Sequence, residues 1–344
     1  MVSPVEDPSQ PKPRDRARDP ELADLTDAPF ELFESERDVL SLRAIGEALQ
    51  AAGRMTGLDE LVRILDEMGA AKVRAALSRI LFQPAERVVD PFGLDVEFYE
   101  AVFPLVRWIH DHWFRIETTG IEHIPDAGRA LIVANHSGTI PIDGLMVVTT
   151  AHLNHAQGRR LRALVENFVY HMPWVGALFA RGGAVRACQE NATALLEADE
   201  AVLVFPEGVK GIGKLYKKRY RLQRFGRGGA IKLALSTGSP IIPCSIVGAE
   251  EAMPLIGKVS WLARPLGIPY IPVTPLMPFL GPLGLIPFPT KWFIDFGEPI
   301  EVGELGPDAV HDRVLVNRLN ERVRREVQSL IDKRLAARKS VIFG

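Results

Sequence analysis

The chain has 344 residues, 47% apolar and 24% charged, with a formal net charge of −2. That balance describes a globular chain with a sizeable core and excludes a global electrostatic pull toward nucleic acid. Only Cys188 and Cys244 are present, far apart and in no metal-like spacing. A disulfide framework is therefore excluded, and a reducing compartment fits best.

Residues 1–30 are charged and Pro-rich with few large apolar side chains, and predict a disordered arm. They contain no apolar core of the kind a signal peptide needs. Residues 31–112 predict a helical region. Apolar residues recur at spacings of three and four across 35–83, with Ser35 and Asp59 as candidate caps. After the break "DPFGLD", the run "VEFYEAVFPLVRWIHDHWF" reads as an aromatic-rich helix with Pro104 as a kink point.

From Arg115 the rhythm changes to short apolar runs separated by helical stretches. The strand candidates are "FRIETTG", "ALIVAN", "RALVE", "AVLVFP", "PIIPCSIVG" and "KWFIDFG". The helix candidates lie at 143–152, 188–198, 226–237 and 308–338. Such alternation predicts an α/β fold: a mixed, largely parallel sheet flanked by helices, over residues 113–305, followed by a C-terminal helix over 306–344. Residues 265–290 carry no charge and are long enough to span a bilayer, but they hold eight prolines. Such a backbone cannot satisfy itself in hydrocarbon. It predicts an ordered apolar loop, buried or lying at a membrane surface, and no transmembrane helix.

In open sheets of this kind, ligands sit at the carboxyl ends of strands. His136 lies just past "ALIVAN" and Glu207 just past "AVLVFP", so the two are candidates for one cleft. A general base needs an imidazole held in one tautomer by an acceptor at its other nitrogen. Asp143 can fold back to do this, and can equally cap the helix that starts there, because a carboxylate has two oxygens. Glu207, in "VLVFPEGVKG", is either a positioned carboxylate or a turn residue. From Val209 to Ala249 there is no acidic residue, while nine Lys and Arg occur with Tyr216, Tyr220 and Phe225 among them. This run fits either a solvated face or a surface for the phosphates of a cofactor or of lipid headgroups.

Other chemistries lack their motifs. There is no G-x-S-x-G elbow for a serine hydrolase. "HLNH" at 152–155 is an isolated pair rather than a zinc site. "GRGGA" at 226–230 follows no strand and is not a dinucleotide fingerprint.

"NHSGTIPID", "FPEG" and "PIIPCSIVG", in that order and at these separations, resemble the glycerolipid acyltransferase superfamily. "FGRGGAIKLALSTGSPIIP" and "PTKWFIDFGEPI" are similar to its lysophospholipid acyltransferase branch, which also holds monoacylglycerol and diacylglycerol acyltransferase-like members. The resemblance covers residues 113–300. It implies an acyltransferase that moves a fatty acyl group from acyl-CoA or acyl carrier protein, used as substrate with no bound cofactor or metal, to a lysophospholipid such as 1-acylglycerol-3-phosphate. A neutral mono- or diacylglycerol acceptor is the alternative, and an inactive lipid-binding protein on this fold is the non-enzyme one. It implies His136 as catalytic base, Asp143 as its orienting partner, and Glu207 and Gly208 as residues that place the acceptor. "GALFARGGAVR" stands where the family has its acceptor-binding arginine, making Arg181 the first candidate and Arg186 the second.

Three departures are visible, the first being an arginine motif with one residue fewer between its Phe and Arg. The family separates its His and Asp by four residues; here six intervene, so the link must bulge, for which Ser137-Gly138-Thr139 is suited. Lys210 stands where the family has Arg, a point charge in place of a bidentate fork. The aromatic helix, the basic run and the Pro-rich segment together predict peripheral attachment to the cytoplasmic face of a membrane.

Overall fold

The computed structural model describes residues 88–344 except 138–139, 173–174 and 264–266. The predicted arm and the helices at 35–83 lie outside the described residues. Nine strands and ten α-helices are used below. The strands are β1 (Glu117–Thr119), β2 (Ala130–Ala134), β3 (Leu161–Val165), β4 (Val185–Arg186), β5 (Ala201–Val204), β6 (Ile241–Val247), β7 (Gly257–Val259), β8 (Ile271–Val273) and β9 (Phe293–Phe296). The helices are α1 (Val96–Trp108), α2 (Ile142–Asn154), α3 (Asn167–His171), α4 (Val175–Arg181), α5 (Gln189–Glu197), α6 (Val209–Ile212), α7 (Gly229–Thr237), α8 (Ala249–Ala252), α9 (Met277–Leu280) and α10 (Arg313–Ala337).

Seven strands form one sheet in the order β1-β9-β6-β2-β5-β3-β4, and β7 and β8 form a separate ribbon. Every neighbouring pair in the large sheet is parallel except β6 with β9. The sheet is thus mixed and largely parallel, as the alternation of elements predicts.

Why these runs become central strands follows from burial on both sides. All residues of β2, β5 and β6 are buried, the behaviour of parallel strands covered by helices on each face. Alternate residues serve opposite cores. Leu131 and Val133 pack with Leu195, Leu235 and Val327 beneath α5, α7 and α10. Ile132 and Ala134 pack with Met146, Val147 and Ala151 of α2.

Three boundaries differ from expectation for local reasons. β1 begins at Glu117 rather than Phe114, because Arg115 has φ 48 and its guanidinium donates to the carbonyls of His112, Trp113, Pro289 and Ile342. α7 begins only at Gly229, since Gly228 has φ +76 and a Cβ there would lie 2.6 Å from Val316 Cγ1. α10 begins at Arg313, where the Asp312 side chain accepts from the amides of Val314 and Leu315 and so caps the helix. Pro104 sits inside α1, and the chain continues through a π-helical turn at Ile109–Trp113. The Pro-rich segment is not a loop throughout: it contains β8 and α9. Pro272 is tolerated because a two-stranded ribbon has only edge strands.

β2 and β5 lie side by side with Val133 opposite Val204. His136 and Glu207 therefore leave the sheet at the same edge, each three residues beyond that pair.

Candidate active site

Asn135 ends β2 by joining it to β6. Its side chain donates to Ile246 O at 3.0 Å and accepts from Ile246 N at 2.7 Å. This pair of hydrogen bonds fixes where the next residue, His136, is presented. Ring nitrogen Nδ1 of His136 lies 2.7 Å from Asp143 Oδ2, in the first turn of α2. The same oxygen accepts from Ser137 N at 2.8 Å, and Oδ1 accepts from Gly144 N at 2.8 Å. Asp143 is buried, so three donors compensate its desolvation. The longer link brings the two residues together; the bulge expected at Gly138-Thr139 lies outside the described residues.

Glu207 lies beneath this loop rather than beside it. Its Oε1 accepts from His136 N at 3.0 Å, its Oε2 from Gln223 N at 2.6 Å, and Lys214 Nζ is 3.4 Å from Oε2. Gly208 has φ 56, which returns the chain into α6 at no steric cost. Gly211 of α6 backs directly onto both motifs: a Cβ there would lie 2.7 Å from His136 Cβ and 2.8 Å from Glu207 Cβ. The Phe205 ring stacks on the His136 imidazole, 4.3 Å between centroids, and holds its plane.

The two arginines separate. Arg181, at the end of α4, is buried with Nε 3.1 Å from Asp95 Oδ2 and its guanidinium 4.0 Å over the Phe98 ring. It ties α4 to the start of α1. Arg186 ends β4 on the surface, where its Nε donates to Asn167 Oδ1 at 2.6 Å. It lines a cleft of about 490 Å³ with Pro91, Phe92, Tyr170, Val185 and Asn191. Lys210 is exposed in α6.

Sequence reasoning missed a buried charge cluster under the site. Lys214 Nζ also meets Glu250 Oε1 at 3.0 Å, and Glu250 Oε2 accepts from Tyr220 N at 3.1 Å. Glu251 joins Tyr220 OH and, at 2.8 Å, Arg338. Burial pushes the Glu250 carboxyl up from 4.5 to about 7, against the pull of Lys214. The one available signal is positional, since Glu250-Glu251 directly follows the long acid-free run.

The family model described as Acyltransferase matches residues 115–247. An uncharacterized protein of Mycobacterium tuberculosis is 40% identical over 332 residues, 96% of this chain and 92% of its own. The chain belongs to the acyltransferase family. The matched span of this acyltransferase holds His136, Asp143, Arg181, Arg186, Glu207, Gly208 and Lys210. A human protein named "DGAT1/2-independent enzyme synthesizing storage lipids" is 26% identical over 224 residues, 64% of this chain and 62% of its own. The crystal structure of the 1-acyl-sn-glycerophosphate (LPA) acyltransferase PlsC from Thermotoga maritima matches 78% of this chain and 89% of its own, at 18% identity and a TM-score of 0.46.

Proposed function

We propose that this acyltransferase moves a fatty acyl group from an acyl thioester, acyl-CoA or acyl carrier protein, to the hydroxyl of a lysophospholipid such as 1-acylglycerol-3-phosphate, in phospholipid synthesis at the cytoplasmic membrane face. The observation that carries the proposal is the 2.7 Å contact between His136 Nδ1 and Asp143 Oδ2. With the Nδ1–H donating a hydrogen bond to the carboxylate, Nε2 keeps the lone pair of a general base. His136 takes the acceptor's hydroxyl proton at Nε2 while the oxygen bonds to the thioester carbonyl carbon. Collapse of the tetrahedral intermediate breaks the C–S bond, and the imidazolium returns the proton to the departing thiolate. Asp143 stabilises the imidazolium between these steps. Glu207 acts one layer down, holding the backbone of His136.

Arg186 and Lys210 support a phosphate-bearing acceptor. Arg186 offers a planar fork beside a cleft, and Lys210 adds an exposed charge. A neutral mono- or diacylglycerol is the second reading. It is favoured by Lys210 in place of arginine and by the storage-lipid name of the human relative.

The test is transfer of radiolabelled acyl groups by purified protein to a panel of lysophospholipids and acylglycerols. Transfer to lysophosphatidic acid is expected, with Arg186→Gln raising its KM roughly tenfold or more and leaving the acyl-CoA KM near wild type. Transfer only to acylglycerols moves the assignment to the second reading. No transfer to any acceptor sinks both and leaves a lipid-binding protein.

A further inference from the structure

Glu207 is strung between two amides that belong to fixed pieces of chain. Its Oε1 accepts from His136 N, next to the Asn135 side chain that ties β2 to β6. Its Oε2 accepts from Gln223 N, and the stretch around Gln223 is held by α10. Leu222 N donates to Gln328 Oε1 at 3.1 Å, Gln328 Nε2 to Tyr220 O at 3.0 Å, and Arg324 Nε to Gln223 O at 3.4 Å. Neither amide is free to follow the carboxylate. Both bonds therefore require Glu207 in one place with both oxygens accepting, which only the ionised group provides, since a protonated carboxyl turns one oxygen into a donor.

Two buried acids and one buried ammonium share this place. The side chains of Glu207, Lys214 and Glu250 are 0%, 3% and 6% exposed. Lys214 Nζ stands 3.4 Å from Glu207 Oε2 and 3.0 Å from Glu250 Oε1. A buried lysine is rare unless its charge is used. The other charged neighbours lie further out or on other sides. His136 sits above on the link from β2. Glu166, before α3, has Oε1 3.3 Å from the place a Cβ on Gly208 would take. Arg219 faces Glu250 but is half exposed to solvent, which screens it. Two carboxylates this close in a dry site hold a proton more tightly than either would alone, unless a cation stands against both. Burial has already pushed Glu250 up to about 7, against the pull of Lys214.

We propose that Lys214 is a positioning residue of the acyl-transfer site: its ammonium, shared by Glu207 and Glu250, keeps Glu207 ionised and so keeps the backbone of His136 where the imidazole works as a base. The proposal rests on the reading of His136 as that base. It sets Lys214 apart from the rest of the basic run. Lys210, Lys217 and Lys218 are exposed, whereas Lys214 is buried and already paired with two carboxylates, so it has no place in holding a substrate phosphate. Its effect on the chemistry passes through Glu207 to the main chain of His136, without contact with either substrate.

The experiment compares wild type, Lys214→Met, and Lys214→Met combined with Glu250→Gln. It reads kcat against pH, and hydrogen–deuterium exchange at the amides of His136 and Gln223. Lys214→Met is expected to lower kcat about tenfold to a hundredfold, with the KM for acceptor and acyl-CoA near wild type. The loss should be deepest in acid. The flank on which kcat falls with falling pH should move to higher pH, because Glu207 beside Glu250 without the cation takes up its proton earlier as pH falls. Adding Glu250→Gln removes the second carboxylate and should move the flank back and regain turnover. Both amides should exchange faster in the single variant and recover protection in the double one. Should Lys214→Met not fold, Lys214→Gln, which keeps a donor without the charge, carries the same comparison. Wild-type kcat in the single variant overturns the proposal. So does a loss that is equal at every pH and deepens in the double variant, which is how lost packing behaves. Unchanged exchange overturns it even where no acceptor is turned over. His136→Ala with undiminished transfer sinks the base reading instead, and the exchange result then still decides whether Lys214 holds Glu207 and the His136 backbone.

Discussion

The carboxyl edge of the sheet and the β7–β8 hairpin treat their side chains in opposite ways. At the edge, Asp143 and Glu207 each meet three donors, and the His136 ring is held in place by a carboxylate and a stacked phenyl ring. On the hairpin Trp261, and on α9 Phe279, stand in solvent. The difference reflects two tolerances. Proton transfer requires atoms placed within tenths of an ångström, and redundant polar contacts supply that placement. A side chain that stands in solvent has no partner to be placed against, and single exposed apolar residues are ordinary. Substitutions at the edge should therefore cost chemistry steeply, while those of the exposed Trp261 and Phe279 should spare both fold and chemistry.

The largest expected effect is at the base. His136→Ala should lower acyl transfer by roughly two to four orders of magnitude, with the variant still folded by circular dichroism. Asp143→Asn keeps an acceptor oxygen for only one of the two amides, Ser137 N on Oδ2 or Gly144 N on Oδ1, and loses the carboxylate that orients and stabilises the imidazolium. It should cut turnover on the order of a hundredfold or more, with a melting temperature lowered by the one buried amide left without an acceptor. A folded Asn variant with wild-type turnover would remove Asp143 from the chemistry and erase the contrast at its centre.

Gly211→Ala probes the crowding under both motifs. The new methyl group would press on His136 Cβ and Glu207 Cβ at 2.7 and 2.8 Å. Overpacking of this kind costs about 1–3 kcal/mol, readable in a denaturant titration, and kcat should fall with it. Phe279→Ala in the same titration should be silent. Equal destabilisation by both would mean that the exposed ring of α9 is part of the core in solution.

The smallest effect is a change in pH dependence. Glu250 is raised from 4.5 to about 7 by burial, with Lys214, Glu207 and Arg219 as its charged neighbours. The folded chain holds this proton more tightly than the unfolded chain does. The group's contribution to stability is therefore full below about pH 4.5 and is lost as pH rises through about 7. Glu250→Gln removes that loss, so the variant's melting temperature should gain on wild type across this window. If it instead falls behind as pH rises, the Lys214 ion pair outweighs the cost of burial.

Much of the sheet was legible in the sequence because β2, β5 and β6 are apolar on both faces and bounded by glycine, proline or polar residues. The His136–Asp143 pair was legible because its partners are neighbours along the chain. Glu207 was visible as a residue but not in its contacts, which depend on the alignment of strands far apart in sequence. Arg181 and Arg186 sit five residues apart in one motif; sequence order cannot say that the first turns inward to Asp95 and the second outward to a cleft. Lys214 read as one more member of the basic run, because the Glu250 that pairs with it lies beyond the run's end. The hairpin strands were hidden because three residues each, with a proline among them, carry no periodic signal.

The pairing of Val133 with Val204 makes the hydrogen bond from His136 N to Glu207 a gauge of strand alignment. A slip of one residue between β2 and β5 would shift the carboxylate by about 3.3 Å and turn alternate side chains to the other face. Removing one residue between Val204 and Glu207 would thus silence the chemistry while sparing the strand pairing.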